Sequence, residues 1–224
     1  MKVKVFIDGS SGTTGLRIAD RLAERPEIEL LSISAEGRKD VHERAKVINS
    51  ADLAFLCLPD AASKEVMPLL RPDVKVLDTS TAFRTDAAWD YGFPELAGQK
   101  EKIQKSYRVA VPGCYASGFI SIARPLVELG LVPQSYPFSC TGISGYSGGG
   151  KKMIAEYESA DRPAHSKLDA PKSYGLGLAH KHLPEMQKIS GLAHTPMFVP
   201  VVCDYYCGMQ VLVPLDLTLA GSTC

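Results

Sequence analysis

The chain has 224 residues, 45% hydrophobic and 22% charged, the proportions of a globular protein with room for one large domain or two smaller ones. Lys plus Arg equals Asp plus Glu at 25 each, so the formal net charge is zero. That removes any bulk electrostatic reason to expect nucleic acid or an anionic membrane as partner. No apolar run approaches the roughly 18 residues needed to span a bilayer.

Residues 1–9 are a poor export signal, because the apolar stretch is short and no small-residue cleavage site follows. A cytoplasmic protein with reduced thiols is expected, even though the cysteine count, six, is even. Cys57, Cys140 and Cys203 sit in apolar, strand-like runs and read as core.

A β-branched and aromatic stretch at 3–7 predicts the first strand. Gly9, Ser10, Ser11, Gly12, Thr13, Thr14 and Gly15 follow at once. Leu16, Ala19, Leu22 and Ala23 then recur at helical spacing until Pro26, and 28–33 predicts a second strand. A glycine loop between a strand and a helix has a mechanical meaning. The glycines let the backbone turn tightly and approach a pyrophosphate, which the helix N-terminus favours. The spacing is Gly-x-x-Gly-x-x-Gly rather than the commoner Gly-x-Gly-x-x-Gly, and an ordinary tight turn is the plainer alternative. After the second strand, Ser34, Arg38 and Lys39 suit the 2′-phosphate of NADP, while Glu36 argues for NAD.

Residues 51–58 form a nearly continuous apolar run, as a buried parallel strand requires. A helix is expected from 59 to 70 and a further strand at 74–78. By position at strand ends, Ser63 and Ser80 are candidate ligand contacts.

A short strand at 107–111 leads into Pro112, Gly113 and Cys114. Beyond these, Phe119, Ile120, Ile122, Ala123, Leu126, Val127 and Leu129 mark one face of a helix, with Pro125 inside it as a candidate kink. A helix N-terminus favours a thiolate, and its N–H groups suit an oxyanion on a bound carbonyl. Cys114 is therefore the candidate nucleophile. A thiol nucleophile needs a proton partner, and among the five histidines the pair His180 and His182 is the candidate, read as lying on one face of an extended segment. A zinc site made by that pair with Cys203 and Cys207 fits no recognised spacing, and no metal is expected. Residues 145–151 imitate a phosphate-binding P-loop, but Lys152 stands where Ser or Thr is required. A glycine-rich substrate loop or lid is the simpler expectation.

Taken together, the glycine loop at 9–15, Asp78 to Arg84, Tyr91 to Leu96, Pro112 to Ser117, Gly145 to Lys151 and His180 to Glu185 resemble the N-acetyl-γ-glutamyl-phosphate reductase family, in its shorter (type 2) branch. The cysteine segment and the His-Lys-His-x-Pro-Glu segment, in this order, carry the resemblance. It implies an α/β fold with a Rossmann-like NADP-binding domain over 1–113. An α+β substrate domain of the semialdehyde dehydrogenase type would follow over 114–224. It implies a Cys114 thioacyl intermediate, NADP(H) as cofactor, His180 or His182 as acid/base, and Ser80, Arg84 and Glu185 on the substrate side. It also implies a homo-oligomer. Members of the family run on past the strand-like 210–217, so a missing C-terminal segment is expected, whether by truncation in nature or because the sequence is a fragment. Aspartate-semialdehyde dehydrogenase and a non-catalytic NADP-binding protein are the alternatives.

Overall fold

A computed structural model describes residues 2–10 and 13–220, without the side chains of Thr13, Thr14 and Leu16. The chain divides into two compact units, Met1–Pro112 and Gly113–Cys224.

The first unit runs β1 (Val3–Asp8), α1 (Thr13–Ala23), β2 (Ile28–Leu31), α2 (Val41–Ser50), β3 (Leu53–Leu56), α3 (Asp60–Val66), β4 (Lys75–Asp78), β5 (Asp90–Tyr91), α4 (Gln99–Lys105) and β6 (Arg108–Ala110). Its strands form one parallel sheet in the order β2-β1-β3-β4-β6-β5. β1 is buried continuously over its last four residues, as a strand covered on both faces must be. Phe6, Ile48, Leu56, Val66, Val74 and Val76 make the centre of the core. Each such side chain stabilises the fold by about 1.5–3 kcal/mol on burial. The chain leaves β1 toward β2 and returns to the other side of β1 as β3. The point where strand order reverses therefore lies between β1 and β3, and ligands of open α/β sheets bind outside the carboxyl ends of strands there.

Two helices of this unit, α2 and α4, are absent from the sequence reading. α2 carries its own start signal. Asp40 accepts hydrogen bonds from the N–H groups of His42 (2.7 Å) and Glu43 (3.2 Å), the acid-x-x-Glu pattern of an N-cap.

The second unit contains α5 (Cys114–Glu128), β7 (Ser139–Gly145), α6 (Gly150–Tyr157), β8 (Lys172–Ser173), α7 (Leu183–Ser190), β9 (Met197–Cys203) and β10 (Met209–Leu212). Its sheet is mixed, in the order β10-β7-β9-β8, with β7 and β9 parallel and the outer pairs antiparallel. α5 buries Tyr115, Ala116, Phe119, Ile120 and Ala123 and packs on one face of this sheet. A Cβ on Gly118 would meet Val211 at 2.6 Å, and one on Gly142 would meet the Tyr115 ring at 2.5 Å. The opposite sheet face carries Met197 and Val199 on β9 and Leu212 on β10, all exposed.

Several boundaries differ from the sequence reading. The last strand stops at Leu212, short of the expected 217, because Pro214 has no N–H to give the ladder. Leu129, expected on the apolar face of α5, is its C-cap and is exposed. Residues 145–151 are anchored by backbone bonds to the loop after β9. Gly145, Tyr146 and Ser147 donate to the carbonyls of Gly208, Tyr205 and Tyr206 at 3.0 Å each. The segment then makes one tight turn over Tyr146–Gly149 and enters α6.

Candidate active site

In the first unit, Gly9 opens the loop after β1 with φ +84°, a conformation that favours glycine. A Cβ on Gly9 would stand 2.3 Å from the Cys57 carbonyl oxygen, and one on Gly15 would stand 2.5 Å from the Gly9 carbonyl oxygen. β1, the residue that follows β3, and the first turn of α1 thus approach one another through bare backbone. A pyrophosphate needs such a cradle at the sheet's switch point. Ser10 is partly exposed on it. Ser11, Gly12 and the side chains of Thr13 and Thr14 lie outside the described residues.

Asp8, the last residue of β1, is buried and pairs with buried Arg44 of α2 at 2.9 Å. Burial raises the Asp8 pKa above its ordinary value, and the Arg44 hydrogen bond and charge oppose that rise. The pair braces the strand end beneath the glycine loop, and the sequence alone gave no sign of it. After β2, Ser34 Oγ accepts the Gly37 N–H at 3.0 Å, shaping the short turn Gly37–Lys39 that leaves Arg38 and Lys39 exposed.

The other residues expected to touch ligands in this unit are committed inward. Ser63 is fully buried. Ser80 Oγ donates to Asp78 Oδ2 at 2.5 Å and accepts the Ala82 N–H at 3.1 Å. Arg84 is also buried, and its guanidinium donates to the carbonyls of Val111 (2.9 Å) and Thr79 (3.0 Å). These bonds tie the loop after β4 to the end of β6.

In the second unit, Cys114 is the first residue of α5 and its side chain is exposed. N–H groups in a first helical turn have no carbonyl of their own helix to bond, so the sulfur stands beside donors suited to an oxyanion. The other thiols contrast with it. Burial pushes Cys57 up to about 11 and Cys140 up to about 12, which leaves them protonated and unreactive near neutrality.

Next to Cys114 in the chain, Tyr115 gathers the rings of His180, His182 and Phe198 and the hydroxyl of Tyr174. Tyr115 sends its hydroxyl to Ser144 Oγ of β7 at 2.6 Å, and Tyr174 sends its own to Tyr115 at 3.5 Å. Burial raises the Tyr174 phenol well above its ordinary value, and its bond to Tyr115 and the nearby Cys114 sulfur add to the rise. His180 and His182 are not on an extended segment, as the sequence reading had it. Pro184 in the first turn starts α7, and His182 is its N-cap in a helical conformation. The two imidazoles meet edge to face at 4.7 Å, and the Tyr115 ring stands 6.4 and 6.0 Å from them.

The His182 N–H donates to His180 Nδ1 at 3.2 Å. An accepting Nδ1 leaves Nε2 to carry the proton of the neutral ring. Burial, then the Lys181 charge, lowers the His180 pKa below its ordinary 6.5, so this ring is neutral at pH 7. Glu185, in the first turn of α7, is 1% exposed and accepts the Gly113 N–H at 3.1 Å. Tyr115, Ser144 and Tyr174 were missed from sequence; only the position of Tyr115 next to the cysteine pointed to one of them. Among the described residues no group of three or more His, Cys, Asp or Glu is arranged to hold a metal.

The comparisons divide the chain much as the fold does. The family model described as "Semialdehyde dehydrogenase, NAD binding domain" matches residues 4–106, and "Semialdehyde dehydrogenase, dimerisation domain" matches 114–223. A curated N-acetyl-gamma-glutamyl-phosphate reductase of Trichormus variabilis is 51% identical over 96% of this chain and 68% of its own length. One from a Chelativorans species is 49% identical over 97% of this chain and 69% of its own length. Among solved structures, aspartate semialdehyde dehydrogenase II of Vibrio cholerae, complexed with ASA, is similar in fold. It has a TM-score of 0.66 at 17% identity, over 95% of this chain and 74% of that one.

Proposed function

The chain belongs to the N-acetyl-γ-glutamyl-phosphate reductase family, and on that premise we propose that it reduces N-acetyl-L-glutamyl 5-phosphate to N-acetyl-L-glutamate 5-semialdehyde, a step of arginine biosynthesis. The observation that carries the reading is an exposed thiol at the first residue of a helix, whose next residue, Tyr115, packs against a pair of histidines. The Cys114 sulfur attacks the acyl carbon, the carbon–oxygen bond to phosphate breaks, and phosphate leaves with the bonding pair. A thioester on Cys114 remains. NADPH, when bound, supplies the hydride that this thioester needs. The resulting thiohemiacetal breaks its carbon–sulfur bond, the sulfur keeps the pair, and the aldehyde is released.

The residues divide the work. The first-turn N–H groups of α5 hold the negative oxygen that forms at the acyl carbon. His180, neutral with its proton on Nε2, is the proton donor to that oxygen and takes the proton back as the aldehyde forms. The edge contact from His182 and the bond from its N–H hold the ring in that tautomer. For the cofactor, the bare backbone at Gly9 and Gly15 suits the pyrophosphate, and exposed Arg38 and Lys39 suit a 2′-phosphate. The exposed apolar face of the second sheet, around Met197, Val199 and Leu212, suits a second copy of the chain, because apolar patches of this kind mark protein interfaces.

The test runs the reaction in reverse with N-acetylglutamate semialdehyde, phosphate and NADP⁺, beside Cys114→Ser. NADPH formation that requires phosphate and disappears in Cys114→Ser is the expected result. Turnover that survives Cys114→Ser, or that proceeds equally with aspartate semialdehyde, refutes the assignment.

A further inference from the structure

Cys114 is flanked by two residues tied to different elements. On one side, buried Gly113 donates its N–H to Glu185 Oε2 on α7 at 3.1 Å. Its carbonyl accepts from Ser117 N (2.8 Å) and Ser117 Oγ (2.9 Å), which locks it as the N-cap of α5. On the other side, the Tyr115 hydroxyl is held by Ser144 on β7 at 2.6 Å. The sulfur is exposed, yet the backbone that carries it is pinned from both directions.

α7 brings a second constraint. His182 is its N-cap and Glu185 lies in its first turn. The Met186 N–H bonds back to the His182 carbonyl at 3.0 Å, so the spacing between imidazole and carboxylate is that of one rigid helical turn. His180 is coupled to the same turn through the His182 N–H. A bond from Glu185 to the N-cap of α5 therefore links the turn that holds the histidines to the residue before the nucleophile.

From this juxtaposition we infer that Glu185 is a positioning residue that acts through the Gly113 N–H to hold Cys114 in register with the His180–His182 turn. The inference rests on the reading of Cys114 as the nucleophile. At 1% exposure the carboxylate is shielded from solvent, and its Oε2 is the acceptor for the Gly113 N–H. An amide oxygen serves equally, whereas an alkyl group leaves the buried Gly113 N–H with no acceptor in that direction. Misplacing a reacting group by about 1 Å costs on the order of 100-fold in rate.

The experiment compares Glu185→Gln and Glu185→Leu with the parent chain, with Cys114→Ser as the control for the functional reading. Two readouts are used. The first is steady-state kinetics in the reverse direction. The second is the rate at which iodoacetamide labels Cys114, followed by mass spectrometry, which needs no turnover. Glu185→Leu is expected to lower kcat by about 100-fold with KM for the semialdehyde little changed, and to slow Cys114 labelling. Glu185→Gln is expected to keep most of kcat and the parent labelling rate. Raised KM with preserved kcat in Glu185→Gln overturns the inference, because direct substrate contact predicts that split. Loss of kcat in Glu185→Gln equal to that in Glu185→Leu also overturns it, because charge and not the acceptor would then matter. If Glu185→Leu fails to fold, Glu185→Ala takes its place in both readouts, with the same outcomes deciding. If the parent chain shows no Cys114-dependent turnover, the functional reading fails separately, and labelling unchanged in Glu185→Leu overturns the positioning role.

Discussion

Gly9→Ala tests whether the turn after β1 has the role its geometry implies. The added methyl meets two penalties. The first is conformational, because φ is +84° and holding an L-residue there costs roughly 1–2 kcal/mol. The second is steric. A Cβ would sit 2.3 Å from the Cys57 carbonyl oxygen, and backbone cannot rotate away as a side-chain end can. Overpacking of this kind adds about 1–3 kcal/mol. The sum, about 2–5 kcal/mol, is a large part of the roughly 5–15 kcal/mol by which a domain is stable. Gly98→Ala isolates the first penalty, since φ is +68° there and nothing lies within 4 Å of the added atom. Urea unfolding of both variants separates the two effects, and NADPH titration by fluorescence reads the crevice. Gly9→Ala is expected to fall well below Gly98→Ala in midpoint and to lose most of its NADPH affinity. Equal midpoints, with affinity intact, would refute both the close approach of β1 to the end of β3 and the placement of the cofactor there.

Other outcomes follow from buried charge and exposed sulfur. Arg44→Met leaves the Asp8 carboxyl buried without its partner and is expected to cost about 3–5 kcal/mol in denaturant unfolding, while adding Asp8→Asn recovers much of it; a loss under about 1 kcal/mol would contradict the buried pair. Iodoacetamide at neutral pH should label Cys114 and exposed Cys207 long before Cys57 or Cys140, with activity lost in step with Cys114 alone, as peptide mapping can establish. The lowered pKa of His180 means the folded protein disfavours its protonation. Its contribution to stability is full above pH 6.5 and is lost as pH falls through the lowered value, so His180→Gln should flatten that part of a stability-against-pH curve. Asp8 and Asp78, both raised by burial, act in the opposite sense. Their contribution is full below 3.8 and is lost as pH rises through their raised values.

The parts of this architecture that were legible in sequence are those written in local pattern. β1, the glycine loop and α1 follow one another as alternation, turn residues and helical spacing, and Cys114 announces itself as a small-residue turn between a strand and a helix. α2 carries a legible start in Asp40 and Glu43, but its apolar spacing is too weak to mark a helix. What could not be read are pairings distant in the chain. Asp8 finds Arg44, Gly113 finds Glu185 and Tyr115 finds Ser144 only because strand order and helix packing bring them together. The same limit applies to the inward placement of Ser63, Ser80 and Arg84. Position at a strand end is a sequence property. Whether a side chain there turns toward solvent or folds back onto neighbouring carbonyls is decided by loop geometry.

The division between exposed chemistry and buried support also orders the effects that mutations should have. In the second unit the candidate nucleophile, Cys114, is exposed, while Glu185, Tyr115 and His182 are buried. Replacing Cys114 removes few packing contacts, so Cys114→Ser should abolish turnover and leave the unfolding midpoint near that of the parent. Replacing the buried groups touches packing and hydrogen bonding together, so their variants should lose stability and rate at once, except where an isosteric change such as Glu185→Gln keeps the acceptor. A thiol that proved important for stability, or supports that could be removed without loss of either property, would mean that the helix start at Cys114 is a structural turn and that the reaction takes place elsewhere.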